Sequence, residues 1–181
     1  GMIPTRTMTA HVPITVAEIV EDVQRAVELG ITMVHLHARN ESTGEPTYHI
    51  EIYGRIIAGI RAFSGDLIIC VSTSGRTFKE FEQRAEVLQL DGGLKPDMAS
   101  LTLSSLNFNE IASLNAPDMI QKLAHEMNSR GILAELEAFD AGMINYAKYL
   151  EKKGLLQPPH YFNLLLGNIA CAQADLLHAG L

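Results

Sequence analysis

Two histidines, His35 and His37, are separated by one residue in a short segment of apolar and β-branched residues. Alternate side chains of a β-strand point to the same face, so both imidazoles would lie on one side of the strand. Imidazole nitrogens are common zinc ligands, and Arg39 would stand at the carboxyl end of the same strand, where barrel enzymes bind substrate. The pattern alone leaves two interpretations open: a metal site with Arg39 as a substrate-binding residue, or two hydrogen-bonded, partly buried histidines.

Hydroxyl groups follow the next two predicted strands. Residues 72–76 are Ser-Thr-Ser-Gly-Arg, and hydroxyls with backbone N–H groups in a glycine turn before a helix can bind a carboxylate or a phosphate. Ser72 and Gly75 are therefore candidate substrate-binding residues, with a simple helix-capping turn as the alternative. Hydroxyls alternate again from Ser100, so Ser100 and Thr102 would share one face, either in a binding pocket or in internal hydrogen bonds.

Two carboxylates, Glu135 and Glu137, end the following strand at the same alternating spacing. Glutamates rarely face the inside of a protein unless they are paired or functional. These two could bind a metal, orient a ligand or act as a base. Asp140 is instead expected to cap the next helix. Cys70 and Cys171 lie in apolar segments, and we interpret them as free core thiols rather than as a disulfide.

The elements that position these residues alternate between helix and strand. Thr15 and Glu18 have the spacing of a capping box, an apolar stripe at helical spacing follows them, and Gly30 provides a stop. The other predicted helices cover His49–Phe63, Phe78–Leu90, Pro117–Arg130 and Gly142–Lys153. The predicted strands cover Ile31–Leu36, Leu67–Val71, Asp97–Leu103, Ile132–Ala138 and Tyr161–Leu166.

Helices and strands alternating at this spacing indicate βαβ crossovers and a parallel sheet, hence an α/β fold. Two architectures fit: an open doubly wound sheet or a (β/α)₈ barrel of the TIM type. The glycine-rich phosphate loop typical of dinucleotide-binding sheets is missing after the first strand, which favours the barrel. A whole barrel needs eight strands and at least about 200 residues. We therefore expect residues 1–181 to form a single, partial barrel domain with five visible strands.

Composition limits the classes of partner. The chain has 181 residues and a net charge of -7, which argues against non-specific binding of nucleic acid. It contains no apolar run of about 18 residues and no signal-peptide pattern at its start, so we expect no membrane contact and a cytoplasmic location.

At the level of whole motifs the sequence resembles the β-keto acid cleavage enzymes, typified by 3-keto-5-aminohexanoate cleavage enzyme. The resemblance covers nearly the whole chain. It implies a (β/α)₈ barrel of which strands two to six are present, a zinc ion and a homo-oligomer. The motifs that carry it are Pro13-Ile-Thr15, Val34-His-Leu-His-Ala-Arg39, Ser72-Thr-Ser-Gly75, Lys95-Pro-Asp-Met-Ala-Ser100, Leu106-Asn-Phe108, Glu135-Leu-Glu137, Gly142-Met143 and Leu166-Gly167.

The resemblance also implies a reaction in which acetyl-CoA and a β-keto acid give acetoacetate and a new acyl-CoA. Zinc would supply a Lewis acid for the keto oxygens. By position, His35 and His37 would be zinc ligands. Glu137 would be catalytic, as part of the carboxylate network that supports the base. The keto acid would be held by Ser72, Gly75 and Ser100.

The sequence departs from the family pattern in ways that bear on activity. Family members are longer, and the portion without a counterpart would supply barrel strands one, seven and eight, a third zinc ligand and an aspartate base. Ile3 stands where the family has a glutamate, which argues against an amino-bearing substrate and for a neutral or apolar one. The alternatives are therefore an active enzyme, a catalytically incomplete remnant or assembly subunit, and another metal-dependent barrel lyase or aldolase.

Overall fold

The computed structural model describes residues 2–180, which form a mixed α/β fold. The helices are α1 (Val16–Glu28), α2 (Ile50–Arg61), α3 (Phe81–Ala85), α4 (Pro117–Ser129), α5 (Ala141–Lys152) and α6 (Leu176–Gly180), with 3₁₀ turns at Glu86–Gln89 and Gly92–Leu94. The strands are β1 (Met33–Leu36), β2 (Ile68–Val71), β3 (Met98–Thr102), β4 (Leu106–Asn107), β5 (Ala112–Ser113), β6 (Leu133–Ala138) and β7 (Tyr161–Leu164). The predicted alternation of helix and strand is confirmed.

The chain divides by its internal contacts into two compact units. The first unit runs up to Ser72 and includes Glu86–Met98, and the second contains Thr73–Ala85 and the residues from Ala99 onward. Both units contain fully buried apolar side chains, such as Ile57 in the first and Leu123 in the second. The expectation of one partial barrel domain for residues 1–181 remains a prediction.

Helix α1 begins and ends where local chemistry predicts. The Thr15 hydroxyl accepts a hydrogen bond from the backbone N–H of Glu18 at 3.2 Å, and the Glu18 carboxylate accepts one from the backbone N–H of Thr15 at 2.9 Å. This reciprocal pair satisfies two N–H groups that the first helical turn leaves unbonded. Gly30 follows the helix with a φ of 93°, a left-handed conformation that glycine adopts without strain.

In the first unit, β1 and β2 pair in parallel, with His35 opposite Cys70. Helices α1 and α2 pack closely, since a Cβ atom added at Gly59 would lie 2.6 Å from Cγ2 of Val20. Parallel pairing places the carboxyl ends of β1 and β2 at one edge. The residues that follow these two strands therefore share that edge.

One carboxylate fastens the opposite end of this unit. Oδ2 of Asp97 accepts hydrogen bonds from Nη2 of Arg61 at 2.6 Å and from the backbone N–H of Ile69 at 2.8 Å. Arg61 is the last residue of α2 and also donates to the carbonyls of Gly65 and Leu67. The turn between α2 and β2 is thus held by a partly exposed network of charge-assisted hydrogen bonds.

The second unit is built on the strand order β3-β6-β7. Strands β6 and β7 are parallel, and their register places Glu135 opposite Tyr161 and Glu137 opposite Asn163. Asp140 is the N-cap of α5, and its carboxylate accepts a hydrogen bond from the backbone N–H of Met143 at 3.0 Å. The predicted capping role of Asp140 is confirmed.

The predicted helix Phe78–Leu90 is wrong in length, since only Phe81–Ala85 is α-helical and Glu86–Gln89 forms a 3₁₀ turn. Its expected first turn is part of the preceding loop, which Arg84 holds by donating to the carbonyl of Thr73 at 2.8 Å. The sequence pattern also gave no indication of the β4–β5 hairpin, because two-residue strands are too short to show a periodicity.

The helices of residues 2–180 are short. The two longest, α1 and α4, have 13 residues each. None of the helices in this described range has the length and the apolar character needed to cross a membrane.

Candidate active site

His35 and His37 lie side by side at the carboxyl end of β1. His35 is in the strand and His37 follows it directly, and their ring centroids are 4.8 Å apart with planes inclined by 30°. Nε2 of His35 and Nδ1 of His37 are both shielded from solvent. The expectation that the two imidazoles share one face is confirmed by this geometry.

The donor set of this pair fits zinc as two of the four ligands of a tetrahedral site. Zinc in proteins is bound by imidazole nitrogens, and adjacent rings can present nitrogens to one ion. Burial of the ring nitrogens suits a metal site, since a buried imidazole nitrogen needs a strong partner. Binding of zinc by His35 and His37 remains a prediction.

Arg39, two residues beyond the histidine pair, is almost completely buried, at 2% exposure. Its Nη1 donates a hydrogen bond to the carbonyl of Gly44 at 2.8 Å. Burial lowers the pKa of Arg39 from its usual value, because it removes water from the charged guanidinium. These contacts hold the loop after β1 in place, and the predicted role of Arg39 in substrate binding remains a prediction.

Tyr53 is a functional candidate that the sequence pattern did not reveal. It lies in α2 and is buried, and desolvation raises the pKa of its phenol to about 12. The backbone N–H groups of Ala38 and Ser72 donate to its hydroxyl. Because these residues follow β1 and β2, Tyr53 ties the carboxyl ends of the two strands together. A tyrosine within an apolar helix was the available signal.

The loop after β2 continues into the second unit, where Gly75 is tightly enclosed. A Cβ atom at this position would lie 2.3 Å from the carbonyl oxygen of Leu114 and 2.7 Å from Nη1 of Arg84. Those distances are far inside van der Waals contact, so only glycine fits. The structure therefore explains Gly75 by close packing, and its predicted role in substrate binding remains a prediction.

Ser100 in β3 is buried and fastens the same loop. Its hydroxyl oxygen accepts a hydrogen bond from the backbone N–H of Thr73 at 3.0 Å, and the Thr73 hydroxyl donates to the carbonyl of Ser100 at 2.5 Å. The β3 hydroxyls were expected either to line a binding pocket or to form internal hydrogen bonds. The Ser100 hydroxyl does form an internal hydrogen bond. Binding of the keto acid by Ser100 is untested by these contacts.

Thr102 and Glu137 form a direct pair. Oγ1 of Thr102 donates to Oε2 of Glu137 at 2.5 Å, and the backbone N–H of Leu103 donates to the carbonyl of Glu137 at 3.3 Å. A carboxylate that accepts a short hydrogen bond from a buried hydroxyl has a fixed orientation. The structure therefore brings together two residues that the sequence singled out separately.

Glu135 is more deeply buried than Glu137, at 3% exposure. Its Oε1 accepts a hydrogen bond from Nδ2 of Asn163 in β7 at 3.1 Å. Leu136 lies between Glu135 and Glu137 in the strand, and its side chain is buried on the other face of β6. The predicted placement of both carboxylates on one face of the strand agrees with this alternation.

Arg84 is a second residue that the sequence interpretation missed. Its guanidinium is 3% exposed and donates to the carbonyl of Thr73, to Oδ1 of Asn115 at 2.8 Å and to the carbonyl of Leu114 at 3.2 Å. Burial lowers its pKa to about 10, and the charge of Glu137 opposes this shift. A charged residue on the apolar stripe of a predicted helix was the signal that could have identified it.

A family model described as BKACE, beta-keto acid cleavage enzyme, matches residues 1–179. A 3-oxoadipate:acetyl-CoA acetyltransferase from Cupriavidus necator is 36% identical over 167 residues, covering 92% of this chain and 57% of that protein. A 3-keto-5-aminohexanoate cleavage enzyme from Acetoanaerobium sticklandii is 35% identical over 177 residues, covering 96% of this chain and 63% of that protein. The chain thus spans less than two thirds of the length of these relatives.

Among solved structures, the apo structure of ObcA matches with a TM-score of 0.79 and 23% sequence identity. The match covers 88% of this chain and 37% of that one. At this level of identity the likeness concerns the fold alone.

Proposed function

Because this chain belongs to the β-keto acid cleavage enzyme family, we propose that it takes part in zinc-dependent cleavage of a β-keto acid with acetyl-CoA. In this reaction the acyl group of the keto acid moves to CoA, and the acetyl group takes its place to form acetoacetate. Atoms balance without an oxidant or a reductant. The observation that carries the proposal is the family match together with the adjacent, buried imidazoles of His35 and His37.

His35 and His37 would hold the zinc ion through their ring nitrogens. When bound, zinc would polarise the keto oxygen and stabilise the negative charge that develops on it. Tyr53 would keep the loops after β1 and β2 in a fixed position, since its hydroxyl accepts from the backbones of both. This preorganisation lowers the cost of holding the ligands in place.

Glu137 would be the catalytic carboxylate of this chain, in the network that supports the base. Thr102 orients it by donating to Oε2 at 2.5 Å, which fixes the direction of the carboxylate. Ser72, Gly75, Ser100 and Thr102 would line the keto acid site, with Arg39 supporting it. Substrate would be bound by hydroxyls and backbone N–H groups, which suit its carboxylate and keto oxygens.

For the architecture, the proposal is a (β/α)₈ barrel of which this chain supplies strands two to six. The likeness to the ObcA fold, of which the match covers 37%, supports this arrangement. We also propose that the protein is a homo-oligomer located in the cytoplasm. Its small-molecule partners would be a β-keto acid and acetyl-CoA.

The test is an assay for acetoacetate after incubation with acetyl-CoA and a panel of β-keto acids, with zinc content measured on the same preparation. We expect acetoacetate formation, roughly stoichiometric zinc, and loss of both in His35→Ala. His125→Ala removes an exposed histidine on α4 and is the matched control. Zinc-loaded protein that produces no acetoacetate from any keto acid would favour the catalytically incomplete remnant instead.

A further inference from the structure

Arg76 has an arrangement that the proposed reaction does not yet use. It directly follows Gly75, and its guanidinium carbon lies 3.5 Å from the centroid of the Phe108 ring. Phe108 is in turn braced by Phe139, with ring centroids 5.8 Å apart in an edge-to-face arrangement. A cation on an aromatic face that is itself packed has little freedom to move.

The stacked guanidinium keeps its hydrogen-bonding edge available. The N–H groups of arginine lie in the plane of the guanidinium, so a ring that covers the face does not satisfy them. Within residues 2–180, no carboxylate forms an ion pair with Arg76, and its side chain donates no hydrogen bond to a protein acceptor. Among the described residues, this planar, bidentate donor is thus held in place without a hydrogen-bond acceptor.

This cation is only partly hydrated. Burial lowers the pKa of Arg76, while the nearby charge of Glu137 acts in the opposite direction. Partial removal of water strengthens any interaction with an anion, because the local dielectric constant is lower than in bulk water. Arg76 therefore lies within electrostatic range of the carboxylate that we assign to catalysis.

From this geometry we infer that Arg76 is a specificity-determining residue, which binds an acidic group at the far end of the keto acid. The preferred substrate would then be a β-keto dicarboxylate, with one carboxylate beside the keto group and a second on Arg76. The inference rests on the proposed function and narrows its substrate class. It also replaces the expectation from Ile3 of a neutral or apolar substrate end.

A phosphate of CoA is the other anion that could use the same donors. The pantetheine arm separates the thioester of CoA from its phosphates, whereas Arg76 lies within electrostatic range of Glu137 and next to Gly75. Arg76 is therefore better matched to a carboxylate of the keto acid than to a phosphate of CoA, and the two sources can be separated by experiment.

The experiment compares 3-oxoadipate with 3-oxohexanoate, which has the same chain length and lacks the second carboxylate. Binding of each keto acid is measured calorimetrically without acetyl-CoA, and kcat/KM with it, for wild type, Arg76→Met and Arg76→Lys. Arg25→Met is the control, since it removes an exposed arginine from α1 that pairs with Glu21. Arg76→Met should weaken binding and kcat/KM for 3-oxoadipate by about 10- to 100-fold and leave 3-oxohexanoate within about twofold. Arg76→Lys should recover part of this loss.

The outcomes separate this inference from the proposed function. If Arg76→Met selectively loses binding of 3-oxoadipate but the wild-type protein forms no acetoacetate, the role of Arg76 in binding is supported and the proposed reaction is overturned. Turnover with an equal loss for both keto acids overturns the inference, because Arg76 would then bind the carboxylate that they share. A rise in the KM for acetyl-CoA alone would assign Arg76 to a phosphate of CoA and overturn the inference. Failure of the wild-type protein to bind 3-oxoadipate would overturn it as well.

Discussion

At the scale of single residues, the candidate site is a set of polar groups that hold one another. Thr102 orients Glu137, Ser100 accepts from the backbone N–H of Thr73, and Arg84 donates to the carbonyl of Thr73. Buried polar groups are stable only when each has a partner, so each contact removes a desolvation cost. The same contacts restrict the side chains to few rotamers, which is the preorganisation that a binding site needs.

The hydrogen bond between Thr102 and Glu137 can be tested by a change that preserves shape. Thr102→Val replaces the hydroxyl donor by a methyl group and leaves the half-buried Oε2 of Glu137 without this hydrogen bond. We expect the free energy of unfolding to fall by about 1–3 kcal/mol, measured by urea denaturation. Thr102→Ser keeps the hydroxyl and should retain most of the stability. Equal stability of Thr102→Val and wild type would show that water replaces the donor.

The packing around Gly75 gives a second residue-scale prediction. In Gly75→Ala the new methyl group would lie 2.3 Å from the carbonyl oxygen of Leu114, so the loop after β2 must shift. We expect a loss of about 1–3 kcal/mol in the free energy of unfolding. Gly65→Ala is the control, since its Cβ meets nothing within 4 Å and should change stability by less than about 0.5 kcal/mol. If the loop can accommodate the methyl group, Gly75→Ala and Gly65→Ala will have similar free energies of unfolding, which would contradict this prediction.

At the scale of elements, α1 owes its start to one carboxylate. Glu18 accepts from the backbone N–H groups of Thr15 and Ile14, both at 2.9 Å, and contacts Arg6. These interactions lower the pKa of Glu18 from 4.5 to about 2, with the hydrogen bond from Thr15 as the largest cause. The charged form is thus specifically favoured in the folded state.

A depressed pKa means that the contribution of Glu18 is present above about pH 4.5 and is lost as the pH falls toward 2. We therefore expect Glu18→Gln to lower the urea midpoint at pH 6, and the difference from wild type to shrink between pH 4.5 and pH 2. Glu28→Gln, at the other end of α1, controls for the loss of one charge. A difference that stays constant with pH would mean that the loss in Glu18→Gln does not come from the charge of the carboxylate.

At the scale of the whole molecule, the surface of β7 predicts association. Tyr161, Phe162 and Leu164 in this strand are exposed by 40%, 36% and 47%, and within the described residues β7 pairs with β6 alone. A strand edge with exposed apolar side chains is a preferred surface for contact between chains.

We expect light scattering coupled to size-exclusion chromatography to give a mass well above that of one chain. Phe162→Lys places a charge on the β7 surface and should shift the population toward single chains. Leu29→Lys changes an exposed leucine at the end of α1 and should leave the mass unchanged. A single chain at all concentrations would contradict the predicted homo-oligomer.

The order and type of the main elements could be predicted from sequence, because they depend on local periodicity and capping. Thr15, Glu18 and Asp140 identify helix starts through contacts with residues three positions away or fewer. The alternation of His35 with His37 likewise needs only the geometry of one strand. The length of α3 was predicted wrongly, and the loop before it is held by contacts of Arg84 with Thr73, Leu114 and Asn115 that no local pattern reveals.

What the sequence determined by itself was therefore the α/β alternation, the family, and the faces on which His35, His37 and Glu137 lie. Only the tertiary structure decided that Thr102 meets Glu137, 35 residues away, and that Arg76 lies on Phe108 with its donors available. Such contacts depend on strand register and loop packing, which bring together residues that no local pattern links. For the same physical reason, Tyr53 and Arg84 became candidates only once their burial was known.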